Sequence, residues 1–176
     1  MHGLPVRDSG REYAPPAAEI QVGIAELKVA GQPDRLITMG LGSCVGLTLY
    51  DPLTKIGGLL HIMLPDSALF SEVTKPAKFA DLGIPLLIAE IKRRGGRVSN
   101  LQAKMAGGAQ MFSGANDKFM LNIGARNIVT TKFILKGLGI RVLAEEVGGG
   151  RGRTMILDTA SGLVYIRAVG MQIKVI

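Results

Sequence analysis

The chain has 176 residues, with 21 Lys and Arg against 14 Asp and Glu, a formal charge of +7. At 47% hydrophobic and 20% charged residues it can close a core without disulfide or metal staples, which excludes disorder as a global description. Its single cysteine, Cys44, has no partner for an internal disulfide, and one Cys with two His makes no zinc site without carboxylates. No cofactor or metal is expected.

Residues 1–18 carry scattered charges and Pro15-Pro16 with no periodic apolar face, so they read as a flexible tail ahead of one domain over 19–176. They hold no apolar run of secretory type, and the longest uncharged stretch, Leu36 to Tyr50, is too short for a membrane span. A cytoplasmic protein without membrane insertion is the expectation. From Ile20 the pattern alternates through Val22, Ile24 and Leu27 to Val29 as a strand, broken by a turn at Gly31–Asp34. Arg35–Met39 follows, interrupted by Gly40 and Gly42, then Val45–Tyr50, a turn at Asp51-Pro52, and Ile56–Leu64. These strands are expected to form a meander.

The period then changes. Phe79, Leu82, Leu86, Leu87 and Ile91 recur at helical steps, opening near Thr74–Pro76 and closing at Arg93–Gly96, with Pro85 predicting a kink or a late start. Leu101, Ala103 and Met105 alternate as a strand. A second helix runs from about Asn122, with Ile128, Leu135 and Leu138 on one face and Gly139 as its stop. Arg141–Val147 is the next strand, and Met155–Leu157 pairs with Leu163–Val169 across Ser161-Gly162. Strands with two interposed helices and short early connections predict an α+β layered sandwich, its sheets largely antiparallel or mixed.

Three residues draw a chemical reading. Cys44 follows the glycine-rich break Gly40-Leu41-Gly42-Ser43, where backbone around Gly42 and Ser43 and the Cys44 N–H can face a developing oxyanion; the alternative is an inert buried thiol. His61 sits alone on an apolar strand, and folding back at Asp51-Pro52 brings it toward Cys44, as a proton acceptor for the thiol or as a core histidine satisfied by a carbonyl. Thr38, expected on the adjoining strand, is either a group that orients the imidazole or a packing residue.

Two glycine-rich stretches, 40–46 and 148–154, lack phosphate-loop spacing and lead into strands, so no nucleotide site is expected. Arg151 and Arg153 suit a phosphate, RNA or an acidic protein face, or a solvated turn. Lys92, Arg93, Arg94 and Arg97 fall at the end of the first helix, where cations offset the helix dipole.

Taken in order, Thr38-x-Gly40-Leu41-Gly42-Ser43-Cys44-Val45, Tyr50-Asp51-Pro52 and Gly57-Gly58-x-x-His61-x-Met63-Leu64-Pro65 resemble the CheD family of chemoreceptor glutamine deamidases. So do Lys75-Pro76-x-Lys78-Phe79-Ala80-Asp81, Lys104-x-Ala106-Gly107-Gly108-Ala109-x-Met111-Phe112, Asn122-Ile123-Gly124-x-Arg126-Asn127 and Gly148-Gly149-x-x-Gly152-Arg153, so the likeness spans about Ile20 to Val169. The resemblance implies a hydrolase that converts receptor glutamines to glutamate through Cys44, His61 and Thr38, on a fold similar to the catalytic domain of bacterial toxin deamidases. It also implies chemoreceptor cytoplasmic helices and a CheC-type phosphatase as partners, with no nucleic acid. Besides the enzyme, a binding module docked on such a phosphatase, with little turnover of its own, is the alternative.

Overall fold

A computed structural model describes residues 17–68, 70–110 and 122–176. Of the expected tail only Ala17 and Ala18 are among them, and Met111 and Phe112 lie outside. Ala18 is already tied to the fold, its N–H donating to Asp34 Oδ1 at 3.0 Å and its carbonyl accepting from Arg35 N at 2.8 Å.

Among the described residues ten strands form two sheets, with two α-helices packed on one of them. The first sheet has the order β1 (Glu19–Gln21), β3 (Arg35–Leu41), β8 (Arg153–Asp158), β9 (Val164–Arg167) and β10 (Lys174–Val175). The second runs β2 (Leu27–Gly31), β5 (Ile56–Ile62), β4 (Val45–Asp51), β6 (Gln102–Gly107) and β7 (Arg141–Val147). Helices α1 (Ala80–Arg93) and α2 (Ile123–Gly137) cover the second sheet's outer face. The layers are therefore helices, second sheet, first sheet, an α+β sandwich with mixed sheets.

The meander expectation is corrected. Of the early strands only β4 and β5 form a hairpin; β1 pairs in parallel with β3 in one sheet, while β2 crosses to pair with β5 in the other. The alternation seen from Ile20 to Val29 is two strands, not one. They are separated at Val22–Glu26, where Ala25 takes a left-handed φ of 58°. Nothing in a short alternating run states which sheet it joins, because pairing partners are remote in sequence.

Two cores follow from the layering. Val45, Leu47, Leu49, Leu60 and Ile62 point to the helices and meet Ile84, Leu87 and Ile91 of α1 and Leu135 of α2. Between the sheets, Leu36 and Leu41 of β3 with Met155 and Leu157 of β8 pack on Tyr50 and Leu59. Because β4 and β5 are covered on both faces, nearly every residue in them is buried.

Helix α1 opens at Ala80, later than Thr74–Pro76, after a 3-10 turn over Pro76–Lys78. Its buried stripe is Ala80, Gly83, Ile84, Leu87 and Ile91, whereas Leu86 is exposed. Pro85 lies on the solvent side and the helix continues through it to Arg93. It stops at Gly95, whose φ of +98° a side chain would disfavour, with Gly96 N–H on the Ile91 carbonyl at 3.0 Å. Helix α2 ends as expected before Gly139, also at positive φ. Its buried face includes the expected Leu135, with Ile128 packed against the core beside it, and adds Gly124, Asn127 and Thr131; of the expected residues only Leu138 is exposed.

Candidate functional site

The β4–β5 hairpin sets the first part of the site. Its turn is held by Asp51, whose Oδ1 accepts from Leu53 N at 2.9 Å and whose Oδ2 accepts from Arg97 N at 2.8 Å. Burial pushes this carboxyl up, but the N–H groups of Arg97 and Leu53 outweigh that and hold it below its ordinary value. Antiparallel register places Gly46 opposite His61. Cys44 lies two residues before Gly46, hence on the same strand face and diagonally across from His61. The face is the inter-sheet one: a Cβ on Gly46 would strike Leu41 and Met155, and Cys44 packs against the same cluster. The hairpin thus sets Cys44 and His61 on one strand face.

Thr38 reaches the site from elsewhere. It lies on β3 in the facing sheet rather than on a strand adjoining the hairpin, and its hydroxyl crosses the inter-sheet space to His61 Nδ1 at 2.7 Å. The same hydroxyl donates to the Val22 carbonyl at 2.8 Å. With its one proton used there, Thr38 Oγ1 accepts from His61, so Nδ1 carries the ring hydrogen and Nε2 is bare. Thr38 and His61 are both fully buried. Nε2 has no hydrogen-bond partner among the described residues, Cys44 included. Burial lowers the imidazole to about 4, so the ring is neutral at pH 7 and offers Nε2 as a proton acceptor.

The bend before β4 is braced from the opposite side. Gly40 takes φ +73°, and its carbonyl accepts from Gly42 N at 2.9 Å. The Cys44 and Gly42 carbonyls accept from Gly108 N and Ala109 N, each at 2.7 Å. Gly107 passes so close that a Cβ there would lie 2.2 Å from the Cys44 carbonyl oxygen, at a φ of +101°. With their carbonyls fixed, Ser43 and Cys44 present N–H groups that no main-chain carbonyl takes up among the described residues. Gly42, by contrast, contributes through its carbonyl, since its N–H is already engaged. Burial pushes the half-buried Cys44 thiol up, and its own N–H draws it partly back. At rest the pair is a thiol and a neutral imidazole.

Asn127 is a residue that the sequence reading passed over except as part of a motif. From a buried position on α2 its Nδ2 donates to the Ser43 carbonyl and the Met63 carbonyl, both at 3.0 Å. It therefore ties the residue before Cys44 to the segment just after His61. The available signal was helical spacing that puts Asn127, with Thr131, on the face that carries Leu135. Tyr50 and Lys104, by contrast, are framework residues: Tyr50 Oη donates to the Thr159 carbonyl at 2.9 Å, and Lys104 Nζ to the Gly162 and Ile176 carbonyls at 2.9 and 2.8 Å.

Arg153, one of the loop arginines, is buried and committed: it donates to the Gly148 and Arg151 carbonyls at 2.8 and 3.3 Å and lies 3.7 Å from Glu146. In the helix-end cluster Arg93 is paired with Glu90 at 2.8 Å. Among the described residues no three His, Cys, Asp or Glu side chains converge as a metal site, and no helix is long and apolar enough to cross a membrane.

Comparison with known proteins gives a consistent result. A family model described as CheD chemotactic sensory transduction matches residues 63–168. A protein of Desulforamulus reducens named probable chemoreceptor glutamine deamidase CheD is 68% identical over 165 residues, which cover 94% of this chain and 99% of that protein. Proteins of the same name from Clostridium kluyveri and Clostridium botulinum are 54% and 53% identical over 156 residues, 89% of this chain and 96% of each relative.

Proposed function

This chain belongs to the CheD family, and on that premise we propose that it is a chemotaxis hydrolase that deamidates selected glutamine side chains of chemoreceptors to glutamate. The relatives' names support the substrate class. The observation that carries the chemistry is the Val22–Thr38–His61 chain, which leaves a bare Nε2 on the strand face shared with Cys44.

In this reading Cys44 Sγ attacks the carboxamide carbon while His61 Nε2 takes the thiol proton. The oxyanion is held by the Ser43 and Cys44 N–H groups, with Gly42 supporting the bend through its bond from Ala109. Collapse of the tetrahedral adduct breaks the C–N bond, and the imidazolium proton goes to the departing nitrogen, releasing ammonia and leaving a thioester. His61 then deprotonates water, hydroxide adds to the thioester, and the carboxyl product leaves as the proton returns to sulfur. Amide plus water has become carboxyl plus ammonia, which calls for no metal or organic cofactor. Thr38 positions the ring throughout, since an imidazolium still donates from Nδ1 to Oγ1.

The expected setting is the cytoplasm, against the receptors' cytoplasmic helices, with a CheC-type phosphatase as a second partner. The alternative, a docking module with little turnover, draws on the absence of an Nε2–Cys44 hydrogen bond in this state. That gap is compatible with an enzyme whose catalytic contacts tighten on substrate. Incubating the protein, and separately Cys44→Ala, with chemoreceptor cytoplasmic fragments and mapping Gln-to-Glu conversion by peptide mass spectrometry separates the two. Conversion by the unaltered protein alone supports the deamidase; receptor binding without conversion supports the docking module.

A further inference from the structure

We propose that Arg151 and Arg167 form a carboxylate-binding subsite beside the Cys44 bend, which selects target glutamines whose neighbourhood in the polypeptide is acidic. The proposal rests on the deamidase reading for its substrate and on separate geometry for its place.

A groove of about 710 Å³ opens next to Gly40 and is lined by Arg151, Arg153, Thr154, Arg167 and Val169. Strand register explains the groove. Thr38 pairs with Met155 and Leu41 with Arg153, so Met39 and Gly40 together oppose Thr154 as a bulge. Thr154 in turn pairs with Arg167 on β9. The bulge that bends the chain toward Cys44 therefore also forms one wall of the groove.

Two arginines in this groove differ from the third. Arg153 is spent on carbonyls and Glu146. Arg151 and Arg167 are exposed and have no hydrogen bond or ion pair from their side chains among the described residues. Some other surface cations are engaged, Arg35 with Asp158, Lys132 with Glu145 and Lys174 with Glu146. Guanidinium groups left open in a concave site match carboxylates in charge and in forked geometry.

The loop that carries Arg151 is not loosely appended. Gly148 N donates to the Gly107 carbonyl at 2.9 Å and Gln110 N to the Gly149 carbonyl at 2.8 Å, while Gly108 and Ala109 bind the Cys44 and Gly42 carbonyls. One run of hydrogen bonds thus joins the Arg151 loop to the nucleophile's bend through residues 107–110. Val169, 93% exposed, adds an apolar edge to the groove. A polypeptide fits this lining better than a nucleic acid does: among the described residues no aromatic side chain lines the groove for base stacking, and two open cations are few for a phosphate backbone.

The test compares two fluorescent glutamine-containing helical peptides, one with Glu and Asp flanking the glutamine and one with those acids replaced by Ser. Binding to the full-length protein is read by anisotropy at about 50 and about 300 mM salt, and deamidation is read in parallel by ammonia release. The unaltered protein is expected to bind and turn over the acidic peptide about tenfold better, the order for two partly exposed charge-assisted contacts. Arg151→Gln/Arg167→Gln removes that preference and its salt dependence, acting on KM, while kcat on the Ser peptide is unchanged. Equal losses on both peptides, or a preference that survives the double variant, overturns the proposal. So does tighter binding of a single-stranded RNA of the same net charge. Preference in binding without ammonia release keeps the subsite and refutes the deamidase; release without preference does the reverse.

Discussion

Replacing Thr38 by Val tests the inter-sheet contact directly. The side chains are nearly the same size and both are β-branched, so the substitution removes the hydroxyl and little else. Two buried polar groups lose their partner: the Val22 carbonyl, which accepts at 2.8 Å, and His61 Nδ1, 2.7 Å away. With the site fully buried no water replaces them without rearrangement, and each orphaned group costs about 1–3 kcal/mol. A loss of about 2–5 kcal/mol in urea unfolding at pH 7 is therefore expected. Under the proposed mechanism the ring also loses its fixed tautomer and the acceptor for its imidazolium, so kcat on a receptor fragment falls about 10- to 100-fold with KM little changed. Thr38→Ser, which keeps the hydroxyl, restores most of both. The assay is denaturant unfolding alongside ammonia release. A folded Thr38→Val protein with kcat within about twofold of the original would refute the idea that this hydroxyl orients His61.

Protonating His61 favours the unfolded chain, because its folded value, about 4, lies below the ordinary 6.5. Its stabilising contribution is complete above pH 6.5 and is lost as pH falls toward 4, by about 3 kcal/mol at pH 4 relative to a His61→Gln variant, measured by urea midpoints across that window. Asn127→Ala removes the donor shared by the Ser43 and Met63 carbonyls; a loss of about 2–4 kcal/mol in stability is expected, with kcat falling further than KM rises. Gly107→Ala places a methyl 2.2 Å from the Cys44 carbonyl oxygen at φ +101° and is expected to cost more than about 4 kcal/mol, read as loss of a cooperative unfolding transition. Cys44→Ala should abolish turnover while shifting the thermal midpoint by only a few degrees, since a half-buried thiol contributes little packing.

Local patterns carried the parts of this molecule that local physics decides. Alternation and the Asp51-Pro52 turn were enough for the β4–β5 hairpin, and the hairpin alone brings Cys44 and His61 to one face, because strand period and antiparallel pairing leave little choice once the turn is placed. Helix stops at Gly95 and Gly139 were legible because positive φ is a property of the residue itself. The motifs in their order were enough for the family. Assignment of strands to sheets was not legible, since β1 and β2 read as one alternating run until Ala25 turns the chain from one sheet to the other. Tertiary structure alone placed Thr38 opposite His61 across that gap and brought Asn127 from α2 onto the carbonyls of Ser43 and Met63. The physical reason is the same in both cases: a hydrogen bond between elements far apart in sequence is set by how layers stack, and stacking depends on the summed burial of whole faces rather than on the residues that make the bond.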